Sequence, residues 1–330
     1  MKNDYTYRIL GTLNGLAIGD AFGTPAVHYS PREISEMYGE KITNFITPIR
    51  RSGKGKSKWE KYEVTDDTIQ TLILANSLIK FNGFSREGFG NELLKIEERY
   101  CKPGTGCGRF RVKANPNNIA EGGEGNGSSM RIAPIGICCS VHEVDKLVRL
   151  AVDSSTLTHN TMGALGGSVA IASAVSAAIE GYTINEIIEF SLNTLRKFET
   201  RYSSKCSCSI LKEIKFAIDI GPEKYVEHLI LNKYKTDEGE WGFIALESVA
   251  CVFSLLSLNL SFKESAIKSV NLGGDSDSTT SMLCAILGAI NFENIPHDWL
   301  RNVGQKNNLD FKELAINLNN LRVHGLKDDN

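Results

Sequence analysis

The chain has 330 residues, 42% of them hydrophobic and 23% charged. That composition excludes wholesale disorder and supplies enough apolar material for one large core or two ordinary ones. Its 37 basic and 39 acidic residues give a formal charge of -2, which excludes bulk electrostatic binding to nucleic acid or to an anionic membrane.

The opening segment MKNDYTYRIL has no apolar stretch of signal-peptide length, and no apolar run reads as reaching the ~18 residues needed to span a bilayer. A cytoplasmic protein with no membrane partner is expected. Eight cysteines are too sparse for a disulfide scaffold, and the spacings Cys101…Cys107 and Cys206-x-Cys208 match no zinc pattern. They read as thiols in a reducing cytosol, used as small buried hydrophobes. Glycine is the one skewed count: 30 residues, or about 9% against a usual ~7%.

In chain order, Gly15 to Pro25 (GLAIGDAFGTP) carries small residues at 15, 17, 19, 21 and 23. This predicts a helix packed tightly on a neighbour and ending near Pro25. Asp20 within it needs partners if buried. Arg50 to Lys58 holds five basic residues in nine and reads as a solvated loop or a guide for an anionic substrate. Residues 65–80 (TDDTIQTLILANSLIK) read as a helix behind an acidic start. Residues 101–129 form a long Gly/Asn/Pro-rich loop, a length that usually marks function or disorder. Helical spacing returns at 143–152, 161–180, 184–198, 208–219, 243–258 and 278–290. The helices at 161–180 and 278–290 are rich in small residues, and 243–258 is apolar nearly all round and should be buried. No strand–helix alternation appears, so the fold class is all-α, one domain over 1–330. The tail HGLKDDN is polar and free to fray.

Two acidic clusters sit at predicted helix starts: Thr65-Asp66-Asp67-Thr68, and Gly273-Gly274-Asp275-Ser276-Asp277-Ser278. Taken singly, each reads as helix capping. Together they offer four carboxylates and several hydroxyls, the oxygen-donor chemistry of hard divalent cations. Without cations such carboxylates would repel one another if they converged, and 209 positions separate Asp66 from Asp275. A Gly-rich stretch, Glu121 to Gly136, runs into a helix and has the composition of a phosphate cradle. It is no P-loop, lacking Gly-Lys-Ser/Thr, and no strand precedes it. Thr158-His159-Asn160 stands just ahead of the small-residue helix.

These segments, in this order, resemble the ADP-ribosylglycohydrolases, which include enzymes that remove ADP-ribose from arginine. The matching residues are Gly15-x-x-x-Gly19-Asp20-Ala21-x-Gly23-x-Pro25, Thr65-Asp66-Asp67-Thr68, Gly125-Asn126-Gly127-x-x-Met130-Arg131-x-x-Pro134, Thr158-His159 and Gly273-Gly274-Asp275-x-Asp277-Ser278. The resemblance implies a compact orthogonal bundle of many helices with a cleft holding two magnesium or manganese ions. It implies Thr65, Asp66, Asp67, Asp275, Asp277 and Ser278 as ligands, Ser278 standing where Thr is common. It implies that Gly122, Gly123, Gly125, Asn126 and Gly127, with Gly106, hold the diphosphate, and that His159 and Asp20 contact substrate. Asp66 or Asp275 would act on the attacking water or the leaving group. The expected reaction is hydrolysis of the glycosidic bond joining ADP-ribose to a protein side chain, with arginine foremost. One departure stands out: many relatives carry Glu two residues after the Pro of the first motif, where this chain has Val27 followed by His28. Glu33, Glu36, Glu121 and Glu124 are candidates to replace it. The departure keeps a small N-riboside substrate open, and a catalytically idle ADP-ribose-binding relative is the reading from another class.

Overall fold

Gly11, Gly15, Gly19 and Gly23 recur every four residues and so fall on one stripe of a helix. In the computed structural model, which describes residues 4–49, 58–101, 104–202, 209–235 and 239–327, that stripe lies directly on a second helix. Helix α1 (Thr6–Gly23) runs antiparallel along α7 (Ser276–Ile290). A Cβ on Gly15 would lie 2.1 Å from the Cys284 carbonyl oxygen, and one on Gly19 2.4 Å from that of Thr280. The small-residue reading of this segment therefore holds, with a period of four.

Five further helices build or brace the site: α2 (Asp66–Phe81), α3 (Gly106–Lys113), α4 (Gly127–Met130), α5 (Met162–Glu180) and α6 (Ala245–Ser257). Helix α5 is central and packs on α4, α6 and α7, and on the helices Val144–Ser155 and Ile184–Tyr202. Its bounds follow from local chemistry. The Thr161 hydroxyl accepts from Ala164 N at one end, and Gly181 takes a left-handed φ of 93° at the other. Its Ala, Gly and Ser residues let neighbours approach closely, and nearly all of them are buried.

Among the described residues there is no strand, only the isolated bridges Gly83–Lys327 and Gly125–Ile244. The fold is all-α, as the periodicity predicts, and its buried apolar side chains form one continuous cluster. Two expectations need correction. The stretch 101–129 is not a continuous loop: it contains α3, which Thr105 caps by accepting from Gly108 N. One helix, Met162–Glu180, is long and apolar enough by length and composition to cross a membrane. Its small residues escape notice as an apolar run, and it is buried as a core helix. Of the basic run 50–58, residues 50–57 lie outside the described residues; Lys58 donates to the Arg99 carbonyl at 2.7 Å.

Candidate active site

Asp20 explains why the first acidic cluster is not spent on capping. It lies fully buried on α1, and its carboxylate accepts from the backbone N–H of Thr65 (2.9 Å) and Thr68 (3.1 Å). It also accepts from the Thr65 and Thr68 hydroxyls, at 2.8 and 2.5 Å. A residue from another helix thus caps α2, and Thr65 makes no cap bond of its own. The Asp66 and Asp67 side chains are released to face a cavity. Asp275 likewise makes no cap bond at the start of α7; its Oδ2 accepts from Asn126 Nδ2 at 2.6 Å.

The cavity has a volume of about 320 Å³ and is lined by Asp66, Asp67, Asp275, Asp277 and Ser278 together. The fold therefore brings the two acidic clusters to one place. Burial pushes the Asp67 carboxyl well above its ordinary value, and the charges of Asp277, Asp20, Asp66 and Asp275 push the same way. Burial, with Asp277 adding and the threonine hydrogen bonds opposing, raises Asp20 to about 7. Asp67 Oδ1 is buried with no hydrogen-bond partner. Its other oxygen has only long contacts, 3.4 Å each, from the hydroxyls of Thr65 and Ser278. A crowded, oxygen-only donor set with an orphaned carboxylate oxygen has the chemistry of a hard-cation site. Among the described residues no three His, Cys, Asp or Glu side chains stand in a ready-made ion-holding group.

Asn126 ties this cluster to a strap at residues 241–244. Its side chain also donates to the Gly242 carbonyl (3.0 Å), its backbone N–H donates to that of Phe243 (3.1 Å), and Asp275 N donates to the Trp241 carbonyl (3.0 Å). Buried Glu247 holds the strap from behind by accepting from Gly242 N at 2.8 Å and from the Tyr234 hydroxyl. Phe243 lines the cavity and stacks on His28, ring centroids 4.6 Å apart.

The opposite wall is built around His159. Its ring packs where side chains on Gly106 and Gly127 would sit: a Cβ there would come within 2.4 and 2.9 Å of His159 Cε1. These glycines thus make room for the imidazole. Burial, with the charges of Arg131 and Arg109, drives the His159 pKa down to about 3, so the ring is neutral at physiological pH. A buried relay connects it to the acidic side. Arg131 donates to Thr158 Oγ1 (2.6 Å) and to Gln70 Oε1 (2.8 Å), Thr158 Oγ1 meets His159 Nδ1 at 2.7 Å, and Gln70 Nε2 donates to Asp66 Oδ2 at 3.3 Å.

Among the residues expected to touch substrate, Gly106, Gly125, Asn126, Gly127 and His159 line the cavity, whereas Gly122 and Gly123 line a neighbouring one of about 360 Å³. The two share Gly106, Arg109 and Glu124. Asp20 and Thr65 line neither. The side-chain hydrogen bonds of Asp20 go to Thr65 and Thr68 at the start of α2, so it positions that helix start. Gln70, Arg109, Arg131, Cys107 and Phe243 were not foreseen as site residues. Gln70 was within reach, four residues after Asp66 on a predicted helix face. Of the four glutamates set against Val27, Glu33 is held in a capping box with Ser30, Glu36 pairs with Arg32, and Glu121 pairs with Lys113. Glu124 alone of the four lines the cavity.

The sequence matches the family model described as ADP-ribosylglycohydrolase over residues 1–326. It is 29% identical to an uncharacterised protein of Archaeoglobus fulgidus, over 95% of this chain and 96% of that one. It is 26% identical to the ADP-ribosylhydrolase ARH3 of Mus musculus, covering 88% and 86%. It is 24% identical to the ADP-ribosyl-[dinitrogen reductase] glycohydrolase of Rhodospirillum rubrum, covering 91% of each. A solved structure titled as an ADP-ribosylglycohydrolase-related protein complex shares the fold, with a TM-score of 0.65 at 23% identity over 97% of this chain and 99% of that one. The chain belongs to the ADP-ribosylglycohydrolase family. It is a glycosidic-bond hydrolase whose class acts on linkages to ADP-ribose.

Proposed function

We propose that the protein is a cytoplasmic, metal-dependent hydrolase that removes ADP-ribose from a modified protein side chain, with arginine as the leading linkage. The observation that carries this reading is the convergence of Asp66, Asp67, Asp275 and Asp277 on one cavity, with Asp67 Oδ1 buried and unpartnered. Those four carboxylates, with Ser278 and the nearby Thr65, are the groups that would hold two Mg²⁺ or Mn²⁺ ions. When bound, such ions supply positive charge to ribose hydroxyls and acidify water.

The chain's own residues do the rest. Neutral His159 and the backbone around Gly125–Gly127 face the same space and offer hydrogen bonds to a diphosphate. Asn126 donates to Asp275 Oδ2 and so steers the carboxylate that would act on the attacking water. Gln70 steers Asp66 in the same way. Glu124, which lines the cavity, would stand in for the acid absent at Val27. Gly122 and Gly123 in the second cavity leave room for the part of a long ligand that the first cannot contain.

The test is release of ADP-ribose from ADP-ribosyl-arginine and ADP-ribosyl-serine peptides, with and without chelator. Chelation, or Asp275→Asn combined with Asp277→Asn, is expected to lower kcat by at least about a hundredfold. Equal turnover after either treatment would sink the mechanism. Turnover of simple nucleosides but of neither peptide would transfer the function to a small N-riboside.

A further inference from the structure

The Sγ atoms of Cys101 and Cys107 are 2.9 Å apart, the one cysteine following the turn Glu98–Tyr100 and the other in the first turn of α3. We propose that Cys101 and Cys107 form a reversible disulfide, made by hydrogen peroxide, that weakens the protein's hold on ADP-ribose. The second part rests on the function proposed above; the disulfide does not.

Three observations carry it. The sulfurs need to approach by less than about 1 Å to reach the disulfide length of about 2.05 Å. Cys107 lines the acidic cavity, so a small peroxide has a route to the pair although both side chains are nearly buried. The Cys107 hydrogen bond, aided by Arg111 and against burial, pulls the Cys101 thiol below its usual range. Cys138, Cys139, Cys251 and Cys284 line neither cavity, and burial pushes their thiols up. The hydrogen bond with Cys101, together with burial, raises that of Cys107 too, whereas the Cys101 thiol is lowered.

The chemistry balances with one peroxide. The Cys101 thiolate attacks a peroxide oxygen, the O–O bond breaks, and the departing hydroxide takes the thiol proton to leave as water. The Cys107 sulfur then attacks the Cys101 sulfur. The S–S bond forms, the S–O bond breaks, and hydroxide leaves with the Cys107 proton as a second water. Both sulfurs are oxidised by one electron each, and the peroxide is reduced by two.

The effect on the site follows from position. Cys107 adjoins Gly106, the glycine against which the His159 ring packs. Drawing Cys107 toward Cys101 shifts that turn and loosens the seat of His159 in the cavity wall.

The experiment uses the full chain with Cys206→Ser and Cys208→Ser, so that these two thiols do not add to the count, in buffer containing Mg²⁺. Peroxide is expected to lower the intact mass by two hydrogens and remove two of six thiols, a peptide map joining Cys101 to Cys107. ADP-ribose affinity, by calorimetry, should weaken about tenfold and return with dithiothreitol. Cys101→Ser should bind ADP-ribose as the reduced parent does and ignore peroxide. No mass loss, a link between other cysteines, or equal peroxide sensitivity in Cys101→Ser overturns the proposal. A Cys101–Cys107 link with unchanged affinity overturns the regulatory part. If the reduced protein neither binds ADP-ribose nor cleaves the peptides, the functional reading fails, and mass and peptide map alone decide the disulfide. These readouts come from the intact pair and stand even if the serine variant does not fold.

Discussion

His159 shows how one side chain sets the requirements of its neighbours. Gly106 and Gly127 lack side chains where the ring must sit, and Arg131 and Thr158 fix one edge of it. Its burial also has a consequence for pH. The folded-state value of about 3 lies below the ordinary 6.5, so on acidification the unfolded chain takes up the proton first. The stability contributed by neutral His159 is complete above pH 6.5 and is lost as pH falls toward 3. Between pH 7 and 5 this amounts to about 2 kcal/mol. His159→Asn should show a smaller loss over that interval by about that amount, measured by urea unfolding at the two pH values. Equal losses in parent and variant would count against a buried neutral histidine.

Among the elements, the pair α1 and α7 decides whether there is a site at all. Helix α1 carries Asp20, which caps α2, and α7 begins with the second acidic cluster. Their close approach along the glycine stripe sets the two clusters within reach of each other. A methyl on Gly15 would meet a backbone carbonyl at 2.1 Å, which has no room to yield. Gly15→Ala should therefore cost about 3 kcal/mol in urea unfolding. Gly122→Ala is the contrast, because nothing lies within 4 Å of a Cβ at that position. It should leave stability within about 0.5 kcal/mol and raise KM if the second cavity holds part of the substrate. A Gly15→Ala variant as stable as the parent would refute the close-packing argument.

At the scale of the whole molecule, the acidic cavity exists only when the chain is folded, because its walls come from positions 209 residues apart. An ion that binds there stabilises the folded state alone. At a free Mg²⁺ concentration a hundred times Kd the gain is about 2.7 kcal/mol, read as a rise in Tm. Asp67→Asn should abolish that rise. In chelator the same variant should melt no lower than the parent, since it replaces a buried carboxyl crowded by four others, whose charged form burial disfavours. A parent Tm indifferent to Mg²⁺ and Mn²⁺, or an equal shift in the variant, would exclude the ion site.

Much of this was legible in the sequence. Helical periodicity placed α2, α5, α6 and α7 within a few residues, and the two acidic clusters stood out by composition. Helix α3 was hidden, because its start, Gly106-Cys-Gly, has the composition of a loop and only the Thr105 cap betrays it. The role of Asp20 was hidden too: a carboxylate in a small-residue helix announces that it needs partners but not which ones. Local chemistry determined the helices, their caps and the supply of carboxylates, because those depend on neighbours a few residues away. Tertiary structure alone decided that Asp20 caps a foreign helix, that Gly122 and Gly123 belong to a second cavity, that Glu124 alone of the four glutamates lines the acidic cavity, and that Cys101 meets Cys107. Each of these depends on how separate elements meet or on which way a backbone turns, and no local periodicity encodes that.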